Sequence, residues 1–207
     1  MSARVAVLTR DPVPGRVKTR LIPAVGAEGA ARLHQAFALH TVETAARSQL
    51  PVDVHLDGAI DGPFAAALRS AGARQVLPQA SGDLGARIGA ALAAPGGRTV
   101  VIGTDCVLFS PDDLLEAAAA PEDLVLGPAE DGGYWLIAAP ASARSIVLDG
   151  IPWSTEAVLA HTRARAAAAG LSVRLVAGYP DVDEPADLRA LRADPRLPPS
   201  LFDFLRG

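Results

Sequence analysis

Short apolar runs bounded by turn residues alternate along the chain with longer stretches in which apolar residues recur every three or four positions. The short runs predict seven strands, at 5–8, 52–56, 74–77, 99–103, 124–126, 134–138 and 172–176; the longer stretches predict six helices, at 28–47, 62–71, 84–93, 111–118, 155–169 and 185–193. In the first helix Leu33, Ala36, Phe37 and Thr41 fall on one face and form its core stripe. Strands that alternate with helices build a mostly parallel sheet covered on both sides, so the expected class is α/β, with three layers in the order α/β/α. No internal repeat and no long polar linker interrupts the pattern. One domain over residues 1–207 is expected, with the tail 195–207 docked on it through Leu201, Phe202, Phe204 and Leu205.

Composition narrows the chemistry. Half of the residues are hydrophobic but only 4% are aromatic, so Ala, Val, Leu and Ile must make the core. With 19 basic against 23 acidic side chains the net charge is −4. Nucleic acid and anionic membrane surfaces attract a basic excess and are therefore not expected partners. Cys106 is the only cysteine, which excludes an internal disulfide and a thiolate metal site, and it reads as a small buried residue. No apolar run reaches membrane-spanning or signal-peptide length, so a cytoplasmic location is expected. His34, His40, His55 and His161 lack metal-ligand spacing and read as ordinary helix or strand residues.

In open parallel sheets ligands bind beyond the carboxyl ends of the strands, so the segments after Leu8, Gly103 and Leu126 should share one crevice. The first of them carries Arg10, Arg16, Lys18 and Arg20 within eleven residues, and Pro12, Pro14 and Gly15 bend it. Lys18 is the only lysine in the chain. Guanidinium forks and an ammonium near a helix start suit a polyphosphate. Two residues separate Gly15 from Lys18, which excludes a Walker P-loop, where Gly and Lys are adjacent. A solvated basic loop would have the same composition.

Asp105 follows an apolar strand, which places its carboxylate at the crevice rim; a turn or helix cap is the competing use, although Ser110-Pro111 makes a better helix start. In Asp181-Val182-Asp183 an extended backbone sets both carboxylates on one face. Two such charges about 4 Å apart repel by about 4 kcal/mol at an effective dielectric near 20. A cation should offset that repulsion, and oxygen-only ligands from Asp105, Asp181 and Asp183 suit Mg²⁺ or Mn²⁺. Asp183 ahead of Glu184-Pro185 would equally cap a helix.

Three further segments carry two readings each. Gly82-Asp83-Leu84-Gly85 with Arg87 is a turn and helix cap, or with Gln79 a contact for a nucleobase edge. Glu130-Asp131-Gly132-Gly133 contains Asp-Gly, a hairpin-turn signal, and its carboxylates can also face an acceptor. Ser154 is expected to cap the following helix, with Trp153 packing on Val158 as a hydrophobic staple.

Six strings in order, Pro12-Val-Pro-Gly-Arg-Val-Lys-Thr-Arg-Leu21, Gly82-Asp-Leu-Gly-Ala-Arg87, Gly103-Thr-Asp-Cys106, Glu130-Asp-Gly-Gly-Tyr-Trp135, Ile151-Pro-Trp-Ser-Thr-Glu156 and Asp181-Val-Asp-Glu-Pro-Ala-Asp-Leu188, resemble the bacterial family of radical-SAM/selenodomain-associated transferases. That family lies in the nucleotide-diphospho-sugar transferase superfamily, and the resemblance implies its GT-A (Rossmann-like) α/β/α sandwich. By motif the chain is also similar to small nucleotidyltransferases such as 2-phospholactate, phosphoenolpyruvate and molybdenum-cofactor guanylyltransferases. The resemblance implies that Gly15, Arg16, Lys18 and Arg20 hold nucleotide phosphates, that Gln79, Gly82, Asp83 and Arg87 lie near the base, and that Asp105, Asp181 and Asp183 hold metal.

The leading expectation is a Mg²⁺-dependent (or Mn²⁺-dependent) nucleotidyltransferase that moves a nucleoside monophosphate from a triphosphate to a small phosphate- or oxyanion-bearing acceptor. Lys18, Arg20, Asp105 and Asp183 are the expected catalytic residues, and Glu130, Asp131, Gly132, Gly133 and Tyr134 the expected acceptor side. A glycosyltransferase using a nucleotide sugar, and a nucleotide-binding module without turnover, are the alternatives. The apolar tail and the Trp153 region would suit a homodimer.

Overall fold

The computed structural model describes residues 3–144 and 148–206. Seven strands form one sheet in the order β3-β2-β1-β4-β6-β5-β7: β1 (Arg4–Arg10), β2 (Val52–Asp57), β3 (Gln75–Pro78), β4 (Arg98–Ile102), β5 (Leu124–Pro128), β6 (Tyr134–Pro140) and β7 (Val173–Leu175). All pairings are parallel except those of β6, which runs antiparallel to both β4 and β5. The helices are α1 (Ile22–Arg47), α2 (Pro63–Ser70), α3 (Leu84–Leu92), α4 (Pro111–Ala119), α5 (Val158–Ala168), α6 (Pro185–Ala193) and α7 (Pro199–Arg206). This is the expected mixed α/β sandwich, with the GT-A-like arrangement that the motifs implied.

The sheet's two faces carry separate cores because side chains alternate along each strand. Val5 and Val7 of β1 join Val54, Val100 and Ile102 on one face, while Ala6, Val101 and Ile137 face Ile88 and Leu92 of α3 on the other. A third cluster lies off the sheet, where α1, α6 and α7 meet: Leu33 and Phe37 pack with Leu188, Leu191, Leu201 and Leu205. Burying side chains of this kind stabilises the fold by about 1.5–3 kcal/mol each. Of the tail's apolar residues, Leu201 and Leu205 are buried and Phe202 packs partly, but Phe204 remains 39% exposed.

One helix start differs from that read in the sequence, for local reasons, and another is preceded by a separate turn. α1 spans Ile22–Arg47, but Gly26, with φ 71° and ψ 165°, is not helical: a short turn led by Pro23 precedes it, and the long helix after it starts close to residue 28, as the sequence indicates. α5 begins at Val158 rather than near residue 155. Ser154 has a φ of 63° and does not cap it, and Thr155 Oγ1 donates to Pro152 O at 2.7 Å to form a turn instead. No described helix is long and apolar enough to cross a membrane.

Candidate active site

The carboxyl ends of β1, β3 and β4 and the start of the reversed β6 all open on one edge of the sheet. A cleft of about 620 Å³ lies there, lined by Leu8, Thr9 and Arg10 of β1, Gln79 after β3, Gly103 to Cys106 after β4, and Tyr134 of β6. Asp131, Asp181, Asp183, Trp153 and Glu156 complete its walls. A narrower annex of about 300 Å³ is lined by Arg10, Arg16, Lys18, Arg20 and His34, and shares Asp105 and Asp183 with the larger cleft.

Backbone pairing brings the distant carboxylates together. Val182 N donates to Asp105 O at 3.1 Å, which lays the 181–183 segment beside the end of β4. Val182 is 2% exposed and turns inward, while Asp181 and Asp183, its neighbours in an extended segment, line the cleft. Asp183 does not cap α6: Glu184 holds that position in a capping box with Asp187. Asp105 is likewise free of capping duty, because Ser110 and Asp113 form the box that starts α4.

Lys18 occupies the centre of this arrangement. Its backbone adopts the left-handed conformation, φ 45°, which swings the side chain inward to 3% exposure. The ammonium donates to Val182 O at 2.6 Å and to Asp183 Oδ1 at 3.2 Å, and it also pairs with Asp105 Oδ1. Phe37 closes the far side, with its ring centroid 5.6 Å from Nζ. Three partners use the three donors of an ammonium. In this structure the ammonium joins two carboxylates, and it lines the annex together with Arg10, Arg16 and Arg20.

The charges tune one another. Burial alone would lower the Lys18 pKa, but Asp105 and Asp183 overcome it and hold the group above its ordinary value. Desolvation acts to raise Asp105, and the adjacent ammonium reverses this, keeping the carboxyl below its ordinary value. Asp181 is pushed up to about 6, chiefly by burial, with Asp105, Asp131 and Asp183 adding to the effect against the hydrogen bond from Cys106. Cys106 Sγ donates that bond at 2.6 Å, and burial pushes its thiol well above the ordinary range, so it is no nucleophile.

Among the described residues no group of three or more His, Cys, Asp and Glu side chains is set to hold a metal ion. Of the three carboxylates expected to hold it, Asp181 accepts a hydrogen bond from Cys106 Sγ at 2.6 Å. Asp105 and Asp183 nevertheless converge on one cation, the Lys18 ammonium. A pair of hard carboxylates fits Mg²⁺, which is commonly bound by one or two carboxylates with phosphate oxygens and water completing the shell.

The other expected site residues divide. Arg87, Gln79, Asp131, Gly133 and Tyr134 line the larger cleft, whereas Gly15, Gly82, Asp83, Glu130 and Gly132 are not in the lining of either space. Asp83 caps α3, its carboxylate accepting from Ala86 N at 2.8 Å. Gln79 Nε2 donates to Thr9 O and His55 O, tying the ends of β1 and β2 together. The Tyr134 hydroxyl is buried beside Thr162, so the tyrosine presents its ring to the cleft. Gly132 is needed for close approach, since a Cβ there would lie 2.1 Å from Glu156 O.

Sequence reasoning missed two contributors. His34 lines both spaces, and its Nε2 donates to Arg10 O at 3.0 Å; nothing in histidine spacing signals this. Trp153, read as a staple, instead lies over Gly85 and meets Tyr134 edge-on, with centroids 6.4 Å apart.

Residues 30–155, more than half of the chain, match the family described as uncharacterized protein conserved in bacteria (DUF2064). No curated protein matches. The crystal structure of a protein from Desulfovibrio desulfuricans G20, provisionally designated a nucleotide-diphospho-sugar transferase, superposes with a TM-score of 0.86 at 26% identity, covering 100% of this chain and 95% of that one. The inositol-1-phosphate CTP transferase from T. maritima gives 0.59 at 13% identity, over 100% and 96% of the two chains. Glucosyl-3-phosphoglycerate synthase from Mycobacterium tuberculosis, solved with Mn²⁺, UDP and glucosyl-3-phosphoglycerate, gives 0.57 at 13%, over 92% and 75%. The last two likenesses are likenesses of fold.

Proposed function

The chain belongs to the DUF2064 family, and we propose that it is a divalent-cation-dependent nucleotidyltransferase. A phosphate oxygen of the acceptor attacks the α-phosphorus of a nucleoside triphosphate, a new O–P bond forms, the bond to the β-phosphate oxygen breaks, and pyrophosphate leaves. The observation that carries this reading is the annex: Arg10, Arg16 and Arg20 line a space of about 300 Å³ that opens on Asp105 and Asp183. A triphosphate, more highly charged than the diphosphate of a nucleotide sugar, matches that density of guanidinium groups.

Phosphoryl-type transfer asks mainly for in-line positioning and charge neutralisation. Arg16 and Arg20 bind the β- and γ-phosphates and stabilise the leaving pyrophosphate. Arg10 is held by the His34 bond to its carbonyl, which fixes the mouth of the annex. Asp105 and Asp183 hold the divalent ion, and Lys18 holds those two carboxylates in register. The ion, when bound, supplies Lewis-acid neutralisation of the phosphate oxygens. Gln79 and Arg87 flank the nucleobase, and Asp131 and Tyr134 face the acceptor. The kinship with small guanylyltransferases drawn from the motifs belongs to this same proposal.

Sugar transfer from a nucleotide sugar is the second reading, favoured by the designation of the 26%-identical structure. One panel with Mg²⁺ or Mn²⁺ separates the readings. Pyrophosphate released from a nucleoside triphosphate supports the first, and nucleoside diphosphate released from a nucleotide sugar supports the second. Nucleotide binding without either product identifies a binding module.

A further inference from the structure

We propose that Asp11 and Gly58 form a latch that holds the cationic turn after β1 in its phosphate-binding shape, so that Asp11 is a positioning residue for the polyphosphate chain. This rests on the nucleotidyltransferase reading of the annex and deepens it.

A carboxylate at the base of a turn that carries Arg10, Arg16 and Arg20 repels the phosphates those arginines would take. Beside so many guanidinium groups it would ordinarily pair with one of them, but among the described residues Asp11 makes no ion pair. Its Oδ2 instead accepts from Ala59 N at 2.9 Å, in the loop that follows β2. The side chain therefore holds backbone rather than a cation, and it joins the loops that leave two adjacent strands.

The rest of the stem is bonded at the same place. The peptide between Arg10 and Asp11 is held on both sides: His34 Nε2 donates to Arg10 O at 3.0 Å, and Asp11 N donates to Asp57 O at 3.0 Å. Val13 N then donates to Asp11 O at 2.8 Å and Arg16 N to Val13 O at 3.0 Å. Pro14 and Gly15, with φ 79°, occupy the middle of that second turn, as a type II turn requires. Beyond it Val17 is buried. Arg16 stands on a short turn anchored by Asp11 at one end and by Val17 and Lys18 at the other. Without the first anchor the ligand itself would have to order the guanidinium, and that ordering lowers affinity.

Gly58 gives the carboxylate its room. A Cβ there would lie 2.2 Å from Asp11 Cγ. The backbone at Gly58 is outside the left-handed region, so alanine suits it and only the Asp11 carboxylate must move. Gly58→Ala therefore opens the latch without altering Asp11 or any arginine.

The test is calorimetric titration of inorganic tripolyphosphate, free of divalent cations, into the full chain and its variants, with amide hydrogen exchange followed at residues 13, 16 and 59. Asp11→Ala and Gly58→Ala should each weaken binding about tenfold and speed exchange at Ala59. The double variant should bind no more weakly than either single one, because both remove the same contact. Asp11→Asn keeps an oxygen acceptor and loses the negative charge, so it should bind at least as tightly as wild type. Unchanged or tighter binding by Asp11→Ala, or additive losses in the double variant, would overturn the latch. Should wild type bind no tripolyphosphate, the annex and the nucleotidyltransferase reading fail together; exchange then judges the latch alone, and unchanged protection at Ala59 in Asp11→Ala overturns it.

Discussion

Lys18 and Asp183, 165 positions apart in the chain, are joined by a 3.2 Å hydrogen bond, and the same ammonium pairs with Asp105. The bond ties the cationic turn after β1 to the segment before α6 at the point where both meet the end of β4. Lys18→Met would leave the two carboxylates facing each other without it. Hydrogen bonds to charged groups contribute about 1.5–3 kcal/mol, and since both aspartates are about half exposed the lower end applies. Urea unfolding should show a loss near 1.5 kcal/mol. An unchanged midpoint would mean that the ammonium does not hold the pair together.

Arg16 and Arg20 should behave in the opposite way, affecting ligand and not fold. The Arg20 side chain is 70% exposed, and its ion pair with Glu184, at 3.9 Å, is a weak surface contact. Arg16→Ala and Arg20→Ala should each weaken nucleoside triphosphate binding about tenfold or more, through loss of a charge-assisted contact. Isothermal titration calorimetry checks this, with the melting temperature of each variant staying at the wild-type value.

Much of the fold was legible because its signals are local. The seven apolar runs became the seven strands, and Pro185 marked the start of α6, although Glu184 rather than Asp183 caps it. The late start of α5 was not legible, since it depends on the left-handed backbone of Ser154 and the Thr155 turn rather than on periodicity. At the site, Asp105 could be placed by its position after an apolar strand, and the alternation of Asp181-Val182-Asp183 indicated a shared face for the carboxylates. The partners of Lys18 could not be read, because Asp105 lies 87 positions away and Val182 and Asp183 lie 164 and 165 away, and they meet through one backbone hydrogen bond from Val182 to Asp105. The Tyr134 hydroxyl and the Trp153–Gly85 contact are likewise products of packing between elements.

His34, His40 and His55 all have pKa values below the ordinary 6.5, with burial the largest cause. The unfolded chain therefore binds protons that the folded chain does not as pH falls below about 6.5, so stability present above that pH is lost below it. His40 links α1 to α7 and to the loop after β4: its Nδ1 lies 3.1 Å from Ser200 Oγ, and its Nε2 donates to Val107 O at 3.2 Å. Asp181, raised to about 6, gains a proton in the folded state over part of the same range and acts with the opposite sign, so the histidine part is read as a difference: from pH 7.5 to 5 the urea midpoint of wild type should fall relative to that of His40→Gln. Parallel slopes in the two proteins would contradict the assignment.

Gly132→Ala should be costly where Gly103→Ala is not. At Gly132 the φ is 84° and an added Cβ would lie 2.1 Å from the backbone oxygen of Glu156, whereas a Cβ at Gly103 meets nothing within 4 Å. The first substitution should lose about 1–3 kcal/mol from strain and displacement, lowering the melting temperature by about 2–4 °C per kcal/mol; the second should stay within about 0.5 kcal/mol of wild type. Calorimetric scans of the two variants give the comparison directly.

The most direct test of the proposed chemistry is calorimetric titration of a nucleoside triphosphate into wild type and into the Asp105→Asn/Asp183→Asn double variant, each with Mg²⁺ and with EDTA. Mg²⁺ should tighten binding to wild type by about tenfold or more, and the double variant should lose that dependence while its Arg16 and Arg20 annex still binds the EDTA-treated nucleotide weakly. Equal affinity for wild type with and without Mg²⁺, or full Mg²⁺ dependence in the double variant, would contradict the assignment of these two aspartates to a nucleotide-bridging cation.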